Sequence, residues 1–181
     1  MVGHGPLKGF KVPPRSTDGI AGTARSLRTL FAITGTQFDA EKTLESLSKY
    51  GITLDVLDDD DPELPRGVEA CWVPDTATLI VRQSVYEAAC ARDPRALFTV
   101  AHELGHLTLG HRRTFNRDAT GCQVYEDSEW QANTFAAEFL MPLHLIREHG
   151  VQTVEHMTAL FGVSVQAAQT RLDKLRKKGV I

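Results

Sequence analysis

The stretch that most restricts this chain is Arg95-Ala96-Leu97-Phe98-Thr99-Val100-Ala101-His102-Glu103-Leu104-Gly105-His106-Leu107. Asp93-Pro94 ahead of it is a helix start, an N-cap followed by proline at the first helical position, and Gly110 is a stop. The predicted helix is therefore Pro94–Leu109. On it His102 and His106 stand four residues apart, so both imidazoles lie on one face and can aim at a single metal ion. Glu103 is turned about 100° from His102, beside such an ion rather than on it, where it can take a proton from an attacking water. Two ligands and a base in H-E-x-x-H order are the arrangement of zinc peptidases.

A catalytic zinc site takes three protein ligands and leaves one position open, so a third ligand is expected elsewhere. His111 is near in sequence, but the three-histidine pattern needs Gly three residues and His six residues beyond the second ligand. Leu109 and Arg112 hold those positions. His111 is expected to face solvent or the last carbonyls of the helix. Downstream, Glu126, Asp127, Glu129 and Glu138 are the acidic candidates. Glu129 has the best setting, because Ala132, Asn133 and Ala136 follow it at helical spacing and form a small-residue face that lets another helix approach closely. Glu126 is next in order. Asn133 is placed to hydrogen-bond a ligand. Glu138, about 180° from Glu129 round the helix, is expected in solvent.

Around this pair of helices the chain reads as α+β. Residues 1–19 are rich in Gly and Pro and are expected to form a loose leader, with His4 incidental. Helices are predicted over 20–33, with Arg25 and Arg28 outside, and over 40–50 behind an Asp39 cap. Strands are predicted over 52–57, 68–73 and 78–82, the last two joined as a hairpin at Pro74-Asp75-Thr76. The run Asp58-Asp59-Asp60-Asp61 lacks the spacing and glycine of a calcium loop and reads as solvated. A short helix over 84–91 precedes the histidine helix. Helices over 128–140, 143–149, 154–161 and 165–178 complete the chain, the first of them stopped by Met141-Pro142. Residues 20–142 are expected to form the metal-bearing domain, with 143–181 as a helical element packed on it.

Composition excludes several classes. The sequence has 181 residues, a net charge of −3 and three cysteines with no C-x-x-C pair. A disulfide framework is not expected, and a reducing cytoplasm fits. No apolar run reaches membrane-spanning length and the first residues lack a signal pattern. The last helices have a helix–Gly turn–helix shape, with Arg171, Lys174, Arg176, Lys177 and Lys178 basic. Because the whole chain is acidic, direct DNA binding by them is the lesser reading and packing or partner docking the greater.

Taken together, 95–107, Glu129-Trp130-Gln131-Ala132-Asn133-Thr134-Phe135-Ala136-Ala137-Glu138-Phe139-Leu140-Met141-Pro142 and Leu160–Ala168 resemble the ImmA/IrrE family of metallopeptidases. The resemblance runs from about Phe38 to Gly179. It implies a zincin-like fold: a small three-stranded sheet, the HExxH helix, a second ligand-bearing helix and helix-turn-helix-like C-terminal helices. It implies zinc held by His102, His106 and Glu129 with Glu103 as base, and a partner repressor of the helix-turn-helix class as substrate, whose cleavage releases mobile-element, phage or stress genes. The IrrE branch carries a further C-terminal sensory domain, for which these 181 residues contain no counterpart. Two other readings compete: a DNA-binding regulator with a structural zinc, and a toxin-like partner that binds its mate without cutting it. Tyr125, His144 and His149 are the candidates for an oxyanion donor.

Overall fold

The computed structural model describes residues 9–112 and 123–181; His4 and Cys122 lie outside them. Three strands, β1 (Thr53–Leu57), β2 (Ala70–Val73) and β3 (Thr78–Arg82), form one sheet in the order β1-β3-β2. β2 and β3 pair antiparallel as the expected hairpin, with Cys71 opposite Ile80, and β1 pairs parallel to β3. The central strand is the most apolar, with Leu79, Ile80 and Val81 all buried, because a strand covered on both edges and both faces meets little water. Its last residue, Arg82, is buried as well and donates to the carbonyl oxygens of Asp58, Leu64 and Val68. The acidic loop is thus tied to the sheet through its backbone while its carboxylates stay outside.

Helices α1 (Thr17–Leu30), α2 (Ala40–Glu45) and α3 (Gln83–Cys90) flank α4 (Pro94–Leu109) and α5 (Ser128–Leu140). The predicted 40–50 helix is α2 followed by one 3-10 segment, Ser46–Tyr50. Asp39 caps α2 by accepting from the Lys42 N–H, and Asp93 caps α4 by accepting from the Arg95 and Ala96 N–H groups. Helices α6 (Leu143–Glu148), α7 (Val154–Phe161) and α8 (Val165–Lys177) follow. Their apolar side chains Ile146, Met157, Phe161 and Leu172 join one continuous core with Leu104, Phe135 and Phe139. No helix among the described residues is long and apolar enough to cross a membrane.

Three expectations change here. Arg28 points inward, not out: it is 3% exposed and donates to the carbonyl oxygens of Phe139 and Gly35, because α1 packs on α5 and the carbonyls in the last turn of a helix have no partner within it. Glu138 is not solvated either. Its carboxylate receives both arms of the Arg171 guanidinium at 2.5 and 2.6 Å, and Arg171 also donates to the Met141 carbonyl. On the side of α5 away from Glu129, α8 brings Arg171 to this carboxylate, and a charge so buried survives only with a matched partner. This removes Arg171 from the basic face of α8. Finally, residues 9–16 are not loose. Val12 N–H donates to Glu126 O, the Ser128 N–H to Phe10 O, and the Gly9 N–H to the Asp127 carboxylate, so this segment is strapped along the start of α5.

Candidate metal centre

α4 and α5 cross where both are small. Gly105 on α4 faces Ala132 on α5, and a Cβ built on Gly105 would stand 3.2 Å from the Ala132 Cα and 3.1 Å from the Phe135 ring. That closeness lets a glutamate of α5 reach histidines of α4. Glu129 Oε2 lies 3.2 Å from His102 Nε2, Glu129 Oε1 lies 3.2 Å from His106 Nε2, and the two Nε2 atoms are 3.0 Å apart. One ligand atom from each of the three residues lies within 4.8 Å of the others. Donors held tetrahedrally by zinc at about 2.0–2.1 Å stand roughly 3.3 Å from one another. The spacing and the donor set, two imidazoles and a carboxylate, therefore fit such an ion. Two imidazole nitrogens 3.0 Å apart need a proton or a cation between them, since two lone pairs repel.

The surrounding charge agrees. The two histidines hold Glu129 far below the usual carboxylate range by hydrogen bonding to it. Burial works to lower the His102 pKa, but Glu129, Glu103 and Asn133 outweigh it and the net shift is upward. Glu103 stands to one side, with Oε1 4.0 Å from His102 Nε2 and Oε2 accepting the Trp72 N–H at 2.9 Å. Burial is the main cause of its raised pKa, opposed by the two histidines. A carboxylate made more basic by desolvation, and aimed by one backbone donor, is equipped to accept a proton.

Asn133 Oδ1 lies 3.2 Å from His102 Nδ1. His111 differs from its expected place. Gly110 takes a left-handed conformation at φ +70°, which turns the chain back under the last turn of α4. His111 is then 4% exposed, with Nδ1 2.9 Å from His106 Nδ1 and Nε2 3.0 Å from Gln131 Oε1. Burial lowers its pKa to about 4, so it is neutral near pH 7. The pocket around the centre is lined by Phe10, Cys71, Trp72, Asp75 and Arg112 besides the residues above. Tyr125 and His144 line other pockets and His149 caps the end of α6, so none of the three expected oxyanion donors lines this one. Arg112 is the cationic side chain among its described lining residues. His111, Gln131 and Phe10 are the residues that reading the sequence missed. A histidine one position past a helix-ending glycine was the available signal for the first; the other two depend on contacts across the fold. Glu126 is not at the centre: its carboxylate accepts from the Gln123 N–H and pairs with Lys11.

None of the curated proteins matches the chain. Among solved structures, a Mycobacterium tuberculosis transcriptional regulator is similar at 18% identity and a TM-score of 0.56, covering 85% of this chain and 46% of that one. At that identity the likeness is one of fold, and this chain spans about half the length of the regulator. The family model of the IrrE N-terminal-like domain matches residues 63–173, a span that holds both helices of the centre and most of the sheet. With more than half of its residues so matched, the chain belongs to the ImmA/IrrE family of metallopeptidases.

Proposed function

We propose that this protein is a zinc-dependent endopeptidase that cuts a helix-turn-helix repressor in the cytoplasm and so relieves repression of mobile-element, phage or stress genes. The observation that carries the reading is the convergence of His102, His106 and Glu129 beside a desolvated Glu103. In it, His102, His106 and Glu129 hold the metal within a catalytic domain over 20–142, on which 143–181 pack. Zinc in such a site supplies a Lewis acid, lowering the pKa of water from 15.7 toward about 7. Glu103 accepts a proton from the attacking water and returns it to the leaving amine. The Trp72 N–H keeps one oxygen of Glu103 occupied, so the other is the one that takes the proton.

The peptide needs an extended track. β3, the strand that leads toward α4 in sequence, cannot offer one, because it is paired on both sides. β2 is the edge that borders the pocket, and on an edge strand alternate residues turn their N–H and C=O outward. A substrate laid along β2 adds a strand and brings a peptide bond past Glu103. Arg112 stands at the same pocket and is the cation available to a developing oxyanion. The DNA-reader alternative loses support, since Arg171 is buried against Glu138 and cannot reach a phosphate.

The test incubates the protein with the repressor encoded beside it, with and without Glu103→Gln, and reads fragments by mass spectrometry. Cleavage at one bond, lowered about 10²–10⁴-fold in the variant while zinc is retained, is the expected result. A repressor that is bound but never cut by the wild type would overturn the peptidase reading and favour a partner-binding module.

A further inference from the structure

Gln131 is fully buried, and its amide offers two donors and a carbonyl acceptor that burial obliges it to use. Its Nε2 donates to two backbone carbonyls, Pro13 O at 2.9 Å and Tyr125 O at 2.8 Å. A carbonyl only accepts, so the amide cannot be turned round, and Oε1 must face the other way. There it meets His111 Nε2 at 3.0 Å. An amide oxygen carries no hydrogen, so the hydrogen of this bond belongs to His111 Nε2. A neutral imidazole has one N–H, which leaves His111 Nδ1 as an acceptor. That atom is 2.9 Å from His106 Nδ1, and the only hydrogen available to this bond is on His106.

We infer that Gln131, clamped by the Pro13 and Tyr125 carbonyls, acts through His111 as a positioning relay that fixes His106 in its Nδ1–H tautomer and leaves Nε2 bare to hold a metal. This rests on the metal centre proposed above and assigns to three residues a role in it. It also gives the strapped segment a purpose, because Pro13 supplies one of the two carbonyls that orient the whole chain of bonds. His102 is served separately, by exposed Asn133, so the two histidines are oriented by different residues of α5: His102 by Asn133 at the surface, His106 through buried His111 and Gln131. Orienting partners of this kind are worth about 10–100-fold in metal affinity.

The experiment uses the full chain loaded with zinc. Histidine-selective ¹⁵N NMR should show His111 protonated at Nε2 and unprotonated at Nδ1. Zinc affinity, measured by chelator competition, should fall about 10–100-fold in His111→Leu and in Gln131→Met. In His111→Asn, whose Oδ1 sits where Nδ1 was and still accepts from His106, it should stay within a few-fold of wild type. A role in folding alone would lower thermal stability in all three variants with affinity untouched. If His111→Leu does not fold, Gln131→Met and the wild-type spectrum still decide. His111 protonated at Nδ1, or Leu and Met variants with wild-type affinity, would overturn the relay while His102→Ala still abolished binding. A wild type that binds no zinc, or binds it equally well without His102, would instead overturn the metal centre and the relay with it.

Discussion

Gly105→Ala tests whether the approach of α4 to α5 is what assembles the centre. In an exposed helix this change would stabilise by about 1 kcal/mol through helix propensity alone. Here the added methyl meets the Phe135 ring at 3.1 Å and the Ala132 Cα and O at 3.2 Å, distances that require the neighbours to retreat by a few tenths of an ångström. Phe135 has nowhere to go, since it is fully buried and stacked on Phe139 at 5.7 Å. The Ala132 atoms are backbone, so they move only if α5 moves. Overpacking of this kind costs about 1–3 kcal/mol, which leaves the metal-free variant between unchanged and about 2 kcal/mol less stable. Glu129 lies one turn from Ala132 and is carried with it. Metal sites tolerate displacements of about 0.2 Å, so the same shift should weaken zinc about tenfold. By linkage that removes about 1.4 kcal/mol of the stability zinc adds at saturating metal. The assay is a pair of thermal melts, chelated and zinc-loaded, with affinity from chelator competition. The metal-free melt should move by a few degrees at most while the zinc-induced increment shrinks. A variant more stable than wild type in both melts, with undiminished affinity, would show that the helices are not held apart by contact at this point.

Other outcomes can be checked with the same protein. Arg171→Met leaves the buried Glu138 carboxylate without its bidentate partner and should cost about 3–5 kcal/mol in urea unfolding; Glu138→Met combined with Arg171→Met should recover much of it, and a neutral single variant would mean the pair is not buried in solution. His111 sets a pH dependence. Its folded pKa of about 4 lies below the ordinary 6.5, so as pH falls the unfolded chain binds the proton first and stability is lost between about 6.5 and about 4. The metal-free wild type should lose up to about 3 kcal/mol more than His111→Asn over that window, and equal slopes in denaturant melts would argue against a buried neutral imidazole. Trp72→Pro removes the backbone donor to Glu103 from an outward-facing position of β2, where the ladder to β3 is not broken. Cleavage of a peptide substrate should fall severalfold with zinc affinity unchanged, and any loss of zinc in that variant would count against the assigned geometry.

Helices α4 and α5, which carry the candidate ligands, were legible because their signals are local. Asp93-Pro94 and Gly110 bound α4, Met141-Pro142 stops α5, and the four-residue spacing of the histidines needs only helical geometry to become a shared face. Glu129 was legible for a related reason: the alanines that follow it mark a surface for close packing. The hairpin of β2 and β3 followed from its turn residues. Which strand lies at the edge did not, because strand order depends on where β1 returns, and β1 is joined to β3 through contacts 25 residues apart. His111 and Gln131 were missed for the same kind of reason. Their bonds run to residues 20 and 118 positions away, and no periodicity in either segment records them.

The residues that looked least structured carry the longest-range constraint. A Gly- and Pro-rich segment without apolar spacing reads as loose because its hydrogen bonds satisfy no local pattern. Between Gly9 and Arg15 nearly every bond goes instead to the turn before α5 or to its first turn. The start of α5 is also where Glu129 sits, so the same bonds that pin the strap fix the register of this proposed third ligand against α4. On the opposite face, the Arg171–Glu138 pair fixes α5 against α8. α5, whose Glu129 stands beside His102 and His106 of α4, is thus held from three sides: by Gly105 packing, by the strap and by a buried ion pair. Charges that a sequence reading assigns to solvent or to DNA are used here to keep one carboxylate in place.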